Sequence, residues 1–333
     1  MDVRRLGIVA RSRLAATFGY AGLPVCISID VEPDLRLVDR GKQDERWRGF
    51  ERLAREMPWI RERQARQTSR PAHFTWYLRM DPQIAETWGS AAWLIERYGD
   101  ALGSMRADGD ELGLHTHTWR WDERPGRWLV DRADREWTAH CTQVGLDAFG
   151  AAIGKRCRAH RGGDRYVDPA MLRLLVDHGV RVDLSVEPGM AAAASLVPEE
   201  TALGEMPDYR TAPTGPYRPR SLDEFTSADP GASSPLMMIP LTSAPDGNGG
   251  RSVVYPWLEP ADFSSLLEQM IAEEGPPPVL AFAVRSELPL RPTWDNFLEN
   301  LDWLARHREL GARFVTASDA AVRLRAVPQR VAA

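Results

Sequence analysis

Short apolar runs alternate with longer amphipathic stretches along most of this 333-residue chain. Residues 25–30 form a compact apolar run that stops at acids and a proline, which predicts a buried strand. Residues 73–78, 112–117, 181–186, 236–240, 279–284 and 312–316 read as further strands. Between them, apolar residues recur at helical spacing. Trp47, Phe50, Leu53 and Met57 form one stripe in a charged helical insertion over 34–70. Further helices are predicted over 82–98, within 131–150, and near 169–178 and 293–309, the third of these closed by Gly179. Strand and helix in alternation predict an α/β fold with a parallel sheet, open or closed into a barrel. Residues 188–235, rich in Pro, Ala, Ser and Gly, break the rhythm and predict a long irregular excursion. No linker divides the rest, so 24–325 are expected to form one domain behind an N-terminal extension of residues 1–23. In such folds, sites gather at the C-terminal ends of strands.

Two strand ends carry the candidate chemistry. In the run from Glu111 to His117, Leu112 and Leu114 alternate with Gly113, His115 and His117. Side chains two apart share a face only on a strand; on a helix they diverge by roughly 200°. His115 and His117 therefore form a candidate pair of metal ligands, half of a tetrahedral site. Polar histidines at a solvated strand end are the bland alternative. The first strand ends Asp30-Val31-Glu32-Pro33-Asp34. If it persists to Pro33, Asp30 and Glu32 lie on one face. One acid can then complete a metal shell while the other takes a proton from a metal-bound water. Asp30 and Asp34 could instead cap a turn or a helix.

Composition narrows the classes. Forty-two basic and 47 acidic residues give a net charge of −5, with no basic excess to suggest nucleic acid. No apolar run approaches the ~18 residues of a membrane span. Arginines flank the short apolar stretch near the N-terminus, so no secretory signal is expected. Cys26, Cys141 and Cys157 are odd in number and scattered, without a CxxC. They are expected to be buried free thiols in a reducing compartment, with the cytoplasm as default.

The segments 30–33, 111–117 and 157–163, followed by the text from Met171 to Gly189, occur in the order of the motifs of polysaccharide deacetylases. Over residues 24 to 320 the chain resembles these NodB-homology enzymes of carbohydrate esterase family four. The resemblance implies a distorted (β/α) barrel of about seven parallel strands holding one divalent metal. It also implies removal of acyl groups from sugars by a metal-activated water. Asp30 then resembles the catalytic base, His115 the first metal histidine, and Arg158 the arginine that orients the base.

Three departures shape the expectations. Val31 follows Asp30 where an aspartate ligand is usual, which leaves Glu32 as the carboxylate ligand. Trp119 stands where the second metal histidine is usual, which leaves His117 as its substitute. Arg285 follows the strand 279–284 where a general-acid histidine is usual. Arginine donates no proton near neutral pH, although it can stabilise an oxyanion or clamp an acidic sugar. Protonation of a leaving amine would fall to His160, the nearest candidate; otherwise the substrate is an ester, or catalysis is lost. Trp119, Trp121, Arg161 and Tyr217 are candidate sugar contacts, the aromatics having core packing as their alternative. Asp183 is expected to pair with Arg158 or Arg161, and His73, His140, His178 and His307 to be structural. Zinc is the expected metal, with cobalt, nickel and manganese accepting the same donors. The leading reading is a metal-dependent deacetylase acting on an acylated carbohydrate. A catalytically impaired sugar-binding protein on the same fold is the second reading. A metallophosphoesterase of the PHP type, which the HxH also resembles, is the third.

Overall fold

A computed structural model describes residues 22–36, 38, 40, 47–247, 249–307 and 310–326. Most of the N-terminal extension, residues 41–46 of the insertion and the last two positions of the expected helix at 293–309 lie outside the described residues. The strands of the central sheet are β1 (Pro24–Val31), β2 (Thr75–Arg79), β3 (Glu111–Thr116), β6 (Ala159–Gly162), β7 (Val182–Asp183), β9 (Met237–Met238), β12 (Leu280–Arg285) and β13 (Arg313–Phe314). Two small sheets stand apart from it. One joins β4 (Trp119–Asp122), β5 (Arg127–Asp131) and β8 (Ala202–Leu203); the other pairs β10 (Ser243–Pro245) with β11 (Arg251–Val253).

The central order is β12-β1-β2-β3-β6-β7-β9, with β13 on β1, and every pairing is parallel. The two ends of this path meet where Thr242 N donates to Ala281 O at 2.8 Å and Ala281 N donates to Thr242 Oγ1 at 2.9 Å. The result is a distorted (β/α) barrel. Strands buried on both faces explain why the sequence shows near-continuous apolar runs there: all eight residues of β1 are buried.

Strand alternation divides the core in two. Val25, Ile27, Ile29 and Val31 join Trp76, Leu78, Leu112, Leu114, Phe282 and Val284 in the layer between sheet and helices. Cys26 packs inside the barrel with Tyr77, Ala159, Val182, Ala281 and Ala283. The polar residues that continue those inward columns therefore converge at one end of the barrel.

Eight helices surround the sheet among the described residues: α1 (Arg48–Thr68), α2 (Pro82–Trp88), α3 (Trp93–Ala107), α4 (Arg135–Ile153), α5 (Pro169–Asp177), α6 (Pro260–Glu274), α7 (Trp294–Arg306) and α8 (Ala317–Ala326). In α1 the stripe Phe50, Leu53, Met57 and Ile60 is buried, and Asp34 accepts from Arg48 N and Gly49 N at its start. The single helix expected over 82–98 is two, because Gly89 takes φ 89° and ends α2. Residues 119–131 form the β4–β5 hairpin, which the sequence reading leaves unassigned, and α4 begins after it at the Asp134 cap. The three cysteines are buried free thiols. No described helix is long and apolar enough to cross a membrane.

Candidate metal centre

The inward columns end in a layer of charged residues. Arg79 on β2 lies across from His115 on β3, which lies across from Arg161 on β6; Asp30 on β1 lies across from Arg285 on β12. His117 follows the end of β3, and Glu32 follows the end of β1. All seven residues except Arg285 are buried.

Glu32, His115 and His117 place one ligand atom each within 4.8 Å of one another, and no other such group of acids, histidines or cysteines is found among the described residues. His115 Nε2 is 3.1 Å from His117 Nε2, and His117 Nε2 is 3.2 Å from Glu32 Oε2. Donors at zinc bond lengths on a tetrahedron stand about 3.3 Å apart, so these spacings fit one ion. His115 Nδ1 donates to Arg161 O at 2.7 Å, which fixes the tautomer and leaves Nε2 with its lone pair. Two imidazole nitrogens facing each other at 3.1 Å share either the N–H proton of one ring or a metal ion. The donor set therefore fits a divalent metal.

Electrostatics treat the three candidate ligands differently. Burial pushes His115 down to about 4, so it is neutral near pH 7. Burial and Arg79 push His117 down as well, but the carboxylates of Asp164 and Glu32 outweigh them and its pKa is raised. Burial pushes Glu32 up, yet Arg285 and the two histidines hold its carboxyl well below the usual carboxylate range. Arg285 Nε lies 2.7 Å from Glu32 Oε1, and Arg79 Nη1 lies 3.5 Å from Oε2.

Asp30 faces the same space. Arg161 Nε donates to Asp30 Oδ2 at 3.0 Å, while Oδ1 is buried without a hydrogen bond. The same guanidinium donates to Leu184 O at 2.6 Å and to Glu187 Oε1 at 3.0 Å. Asp30 and Glu187 raise the pKa of Arg161 against the effect of its burial.

Several expectations change at this point. Arg158 is exposed just before β6, so the guanidinium on Asp30 belongs to Arg161. Register decides this, because Arg161 pairs across from His115 and points into the barrel. Its neighbour His160 points the other way, toward the helices. There its Nδ1 bonds Asp183 Oδ2 at 2.7 Å and its Nε2 meets Thr116 Oγ1 at 3.0 Å. Asp183 thus pairs with His160 rather than with an arginine, and His160, fully buried with both nitrogens engaged, is no proton donor to the site. Tyr217 is buried and donates its hydroxyl to Phe225 O at 2.7 Å, so its ring is core. Trp119 is 1% exposed beneath Arg36, whose guanidinium lies 5.7 Å from its ring, and is no open platform. Trp121 is half-buried on β4, edge-on to Trp128 and covered at 5.0 Å by Arg40. Arg161 is occupied by Asp30, Glu187 and a carbonyl instead of reaching outward. Arg285 holds the expected place, but its charge is committed to Glu32 and Glu287.

The sequence reading does not find Arg79, Asp81, Asp164 or Glu187. Arg79 and Asp81 carry a legible signal, a charged pair straddling the end of the strand 73–78. Asp81 Oδ2 accepts from Arg79 Nε at 2.9 Å and from His117 N at 3.1 Å, and its other oxygen caps α2. Asp164 has no such signal. It sits at φ 54° beyond the Gly162–Gly163 turn, 3.7 Å from His117 Nδ1, and is neutralised by Arg36 at 2.6 Å and Arg132 at 2.9 Å. Burial pushes Asp164 up, but Arg36 and His117 hold it well below the carboxylate range. Gly163 is required there, since a Cβ would stand 2.2 Å from His117 Cδ2.

No protein-family model matches the chain, and no curated protein matches it. Solved structures do. A protein from Parabacteroides distasonis assigned as a glycoside hydrolase/deacetylase aligns at 14% identity over 92% of this chain and 71% of its own, with a TM-score of 0.51. One from Mycobacterium smegmatis assigned as a polysaccharide deacetylase aligns at 13% identity over 93% of each chain, at 0.46. A carbohydrate esterase family four pseudoenzyme from Bacillus anthracis aligns at 7% identity over 90% of this chain and 65% of its own, at 0.42. The chain shares its distorted (β/α) barrel fold with the Parabacteroides protein. At these identities the likeness concerns the fold, and the chemistry rests on the residues.

Proposed function

We propose that the protein is a metal-dependent hydrolase that removes an acyl group from a sugar or glycan precursor, with Glu32, His115 and His117 as ligands and Asp30 as general base. The observation that carries this reading is the convergence of three buried donors within 4.8 Å at the strand ends of the barrel, beside a buried carboxylate. A divalent ion, for which zinc suits the donors best, supplies an acidified water and polarises the acyl carbonyl. Asp30 takes the proton at Oδ1, the oxygen left without a hydrogen bond, while Arg161 fixes the carboxylate through Oδ2. Arg285 and Arg79 keep Glu32 ionised and in one orientation. The buried thiols fit a reducing compartment, and the cytoplasm is the proposed location.

The test is hydrolysis of acylated sugars before and after chelation. Asp30→Asn is expected to keep the metal and lose on the order of 10²-fold or more in kcat. Metal-stripped protein that turns over at the wild-type rate refutes the reading. Arg285 in the place of a general-acid histidine favours a second reading, a sugar-binding protein with impaired catalysis. It expects sugar to raise the unfolding temperature with no turnover of any acylated ligand.

A further inference from the structure

We propose that Glu287 is the proton donor to the leaving group, a role the strand end at Arg285 otherwise leaves unfilled. This rests on the hydrolase reading above. Expulsion of an amine from a tetrahedral adduct needs a proton on nitrogen. Of the seven histidines, His115 and His117 are ligands and His160 is committed on the helix side of β6. The guanidinium of Arg285 gives up no proton at working pH.

Glu287 is held where a donor is needed. Asp30 O accepts from Ser286 N at 2.9 Å, and Ser286 Oγ bonds both Glu32 N and Glu32 O, at 3.3 and 3.1 Å. The turn that carries Glu287 is thus fastened to the base and to the carboxylate ligand. Glu32 Oε1 and Glu287 Oε2 then face the same nitrogen, Arg285 Nε, at 2.7 and 3.1 Å. Glu32 holds the shorter Arg285 contact and faces Arg79 as well, whereas Glu287 has the longer Arg285 contact and only Arg291 Nη2, 3.6 Å from its Oε1, so positive charge is concentrated on Glu32. Glu287 Oε2 is buried and makes no hydrogen bond, yet 9% of the side chain remains open, so the group is neither satisfied nor sealed. Burial pushes the Glu287 carboxyl up, with Arg285 opposing.

The step balances simply. As the C–N bond of the adduct breaks, its electron pair stays on nitrogen, which takes the proton of Glu287. The carboxylate regains a proton from solvent through its open side, and Asp30 releases the one taken from water.

The experiment compares zinc-loaded wild type, Glu287→Gln and Glu287→Asp on two acetyl donors, an N-acetylglucosamine oligosaccharide and 4-nitrophenyl acetate. The phenolate of the ester leaves without protonation, and the amine does not. Glu287→Gln is expected to lose about 10²-fold or more in kcat on the amide, with a much smaller loss on the ester and unchanged zinc content. Glu287→Asp is expected to recover part of the amide activity. Equal losses on both substrates, or a wild type that cleaves the ester alone, overturn the donor role and leave the hydrolase reading standing. A zinc-loaded wild type that cleaves neither overturns both.

Discussion

Gly163→Ala tests the metal centre without altering a single donor atom. The added Cβ would lie 2.2, 2.3 and 2.4 Å from Cδ2, Cγ and Nε2 of His117. Carbon atoms pack at about 3.5 Å, so the ring or the turn must retreat by roughly 1.3 Å. The ring has little room: its backbone N–H is held by Asp81, and Nε2 faces His115 and Glu32 at 3.1 and 3.2 Å. Metal sites tolerate errors of about 0.2 Å in bond length, so a shift of that size removes His117 from the donor set. Overpacking of this kind costs about 1–3 kcal/mol in the metal-free protein. Loss of one of three proposed ligands is expected to weaken zinc binding by ~100-fold or more, about 2.8 kcal/mol at 1.4 kcal/mol per decade. The stabilisation conferred by a fixed excess of zinc shrinks by the same amount. Urea unfolding with and without zinc, together with competition against a chromophoric chelator, reads both quantities. Gly150→Ala, at a position with nothing within 4 Å of the new Cβ, is the control and should leave zinc binding unchanged. Wild-type zinc affinity in Gly163→Ala would refute the assignment of His117 as a ligand.

Three further outcomes follow from the same geometry. His115 accepts a proton only near pH 4 and Glu32 stays ionised, whereas the raised His117 holds its proton to higher pH. Zinc must displace that proton, so affinity falls as pH drops through the His117 pKa, by about tenfold per unit. Calorimetry in buffers of different ionisation heat between about pH 5 and 6 should count one proton released, and a count of two would contradict the His115 assignment. Arg161→Lys cannot reproduce contacts made through Nε, Nη1 and Nη2 to three partners and leaves buried acids unpaired. It is expected to cost about 3 kcal/mol or more in urea unfolding, while Arg158→Lys at its exposed position stays within about 0.5 kcal/mol. His160→Ala leaves buried Asp183 with only the hydrogen bonds of Ser185 and should cost about 1–3 kcal/mol yet leave zinc stoichiometry intact in the folded fraction. A stable variant that lost only amide hydrolysis would return His160 to the reaction.

Much of this arrangement is legible along the chain, because strand period and burial are local properties. The alternation at 112–117 places His115 and His117 on one face. The same rule applied to 159–162 separates His160 from Arg161 and places only one of them in the barrel. Which of those residues meets Asp30 depends on the stagger between β3 and β6, a long-range quantity absent from any single segment. Asp164 is illegible for another reason: it reaches His117 only because the backbone turns to positive φ, which an aspartate seldom adopts. The β4–β5 hairpin is legible in period-2 text, since Trp119, Trp121 and Trp128 flank a Pro-Gly turn.

Arg36 is where two parts of the molecule with different evolutionary freedoms share one residue. It follows β1, stacks on Trp119, neutralises Asp164 behind His117, and bonds Glu200 in the irregular excursion. Excursions of this kind usually diversify freely, since they lie outside the ladder. Here a change at Glu200 is transmitted through one guanidinium to the carboxylate behind the proposed ligand His117. Grafting a foreign rim onto this barrel to redirect substrate choice would therefore require Arg36 and its acidic partner to travel together, and sequence drift at the two positions should be paired.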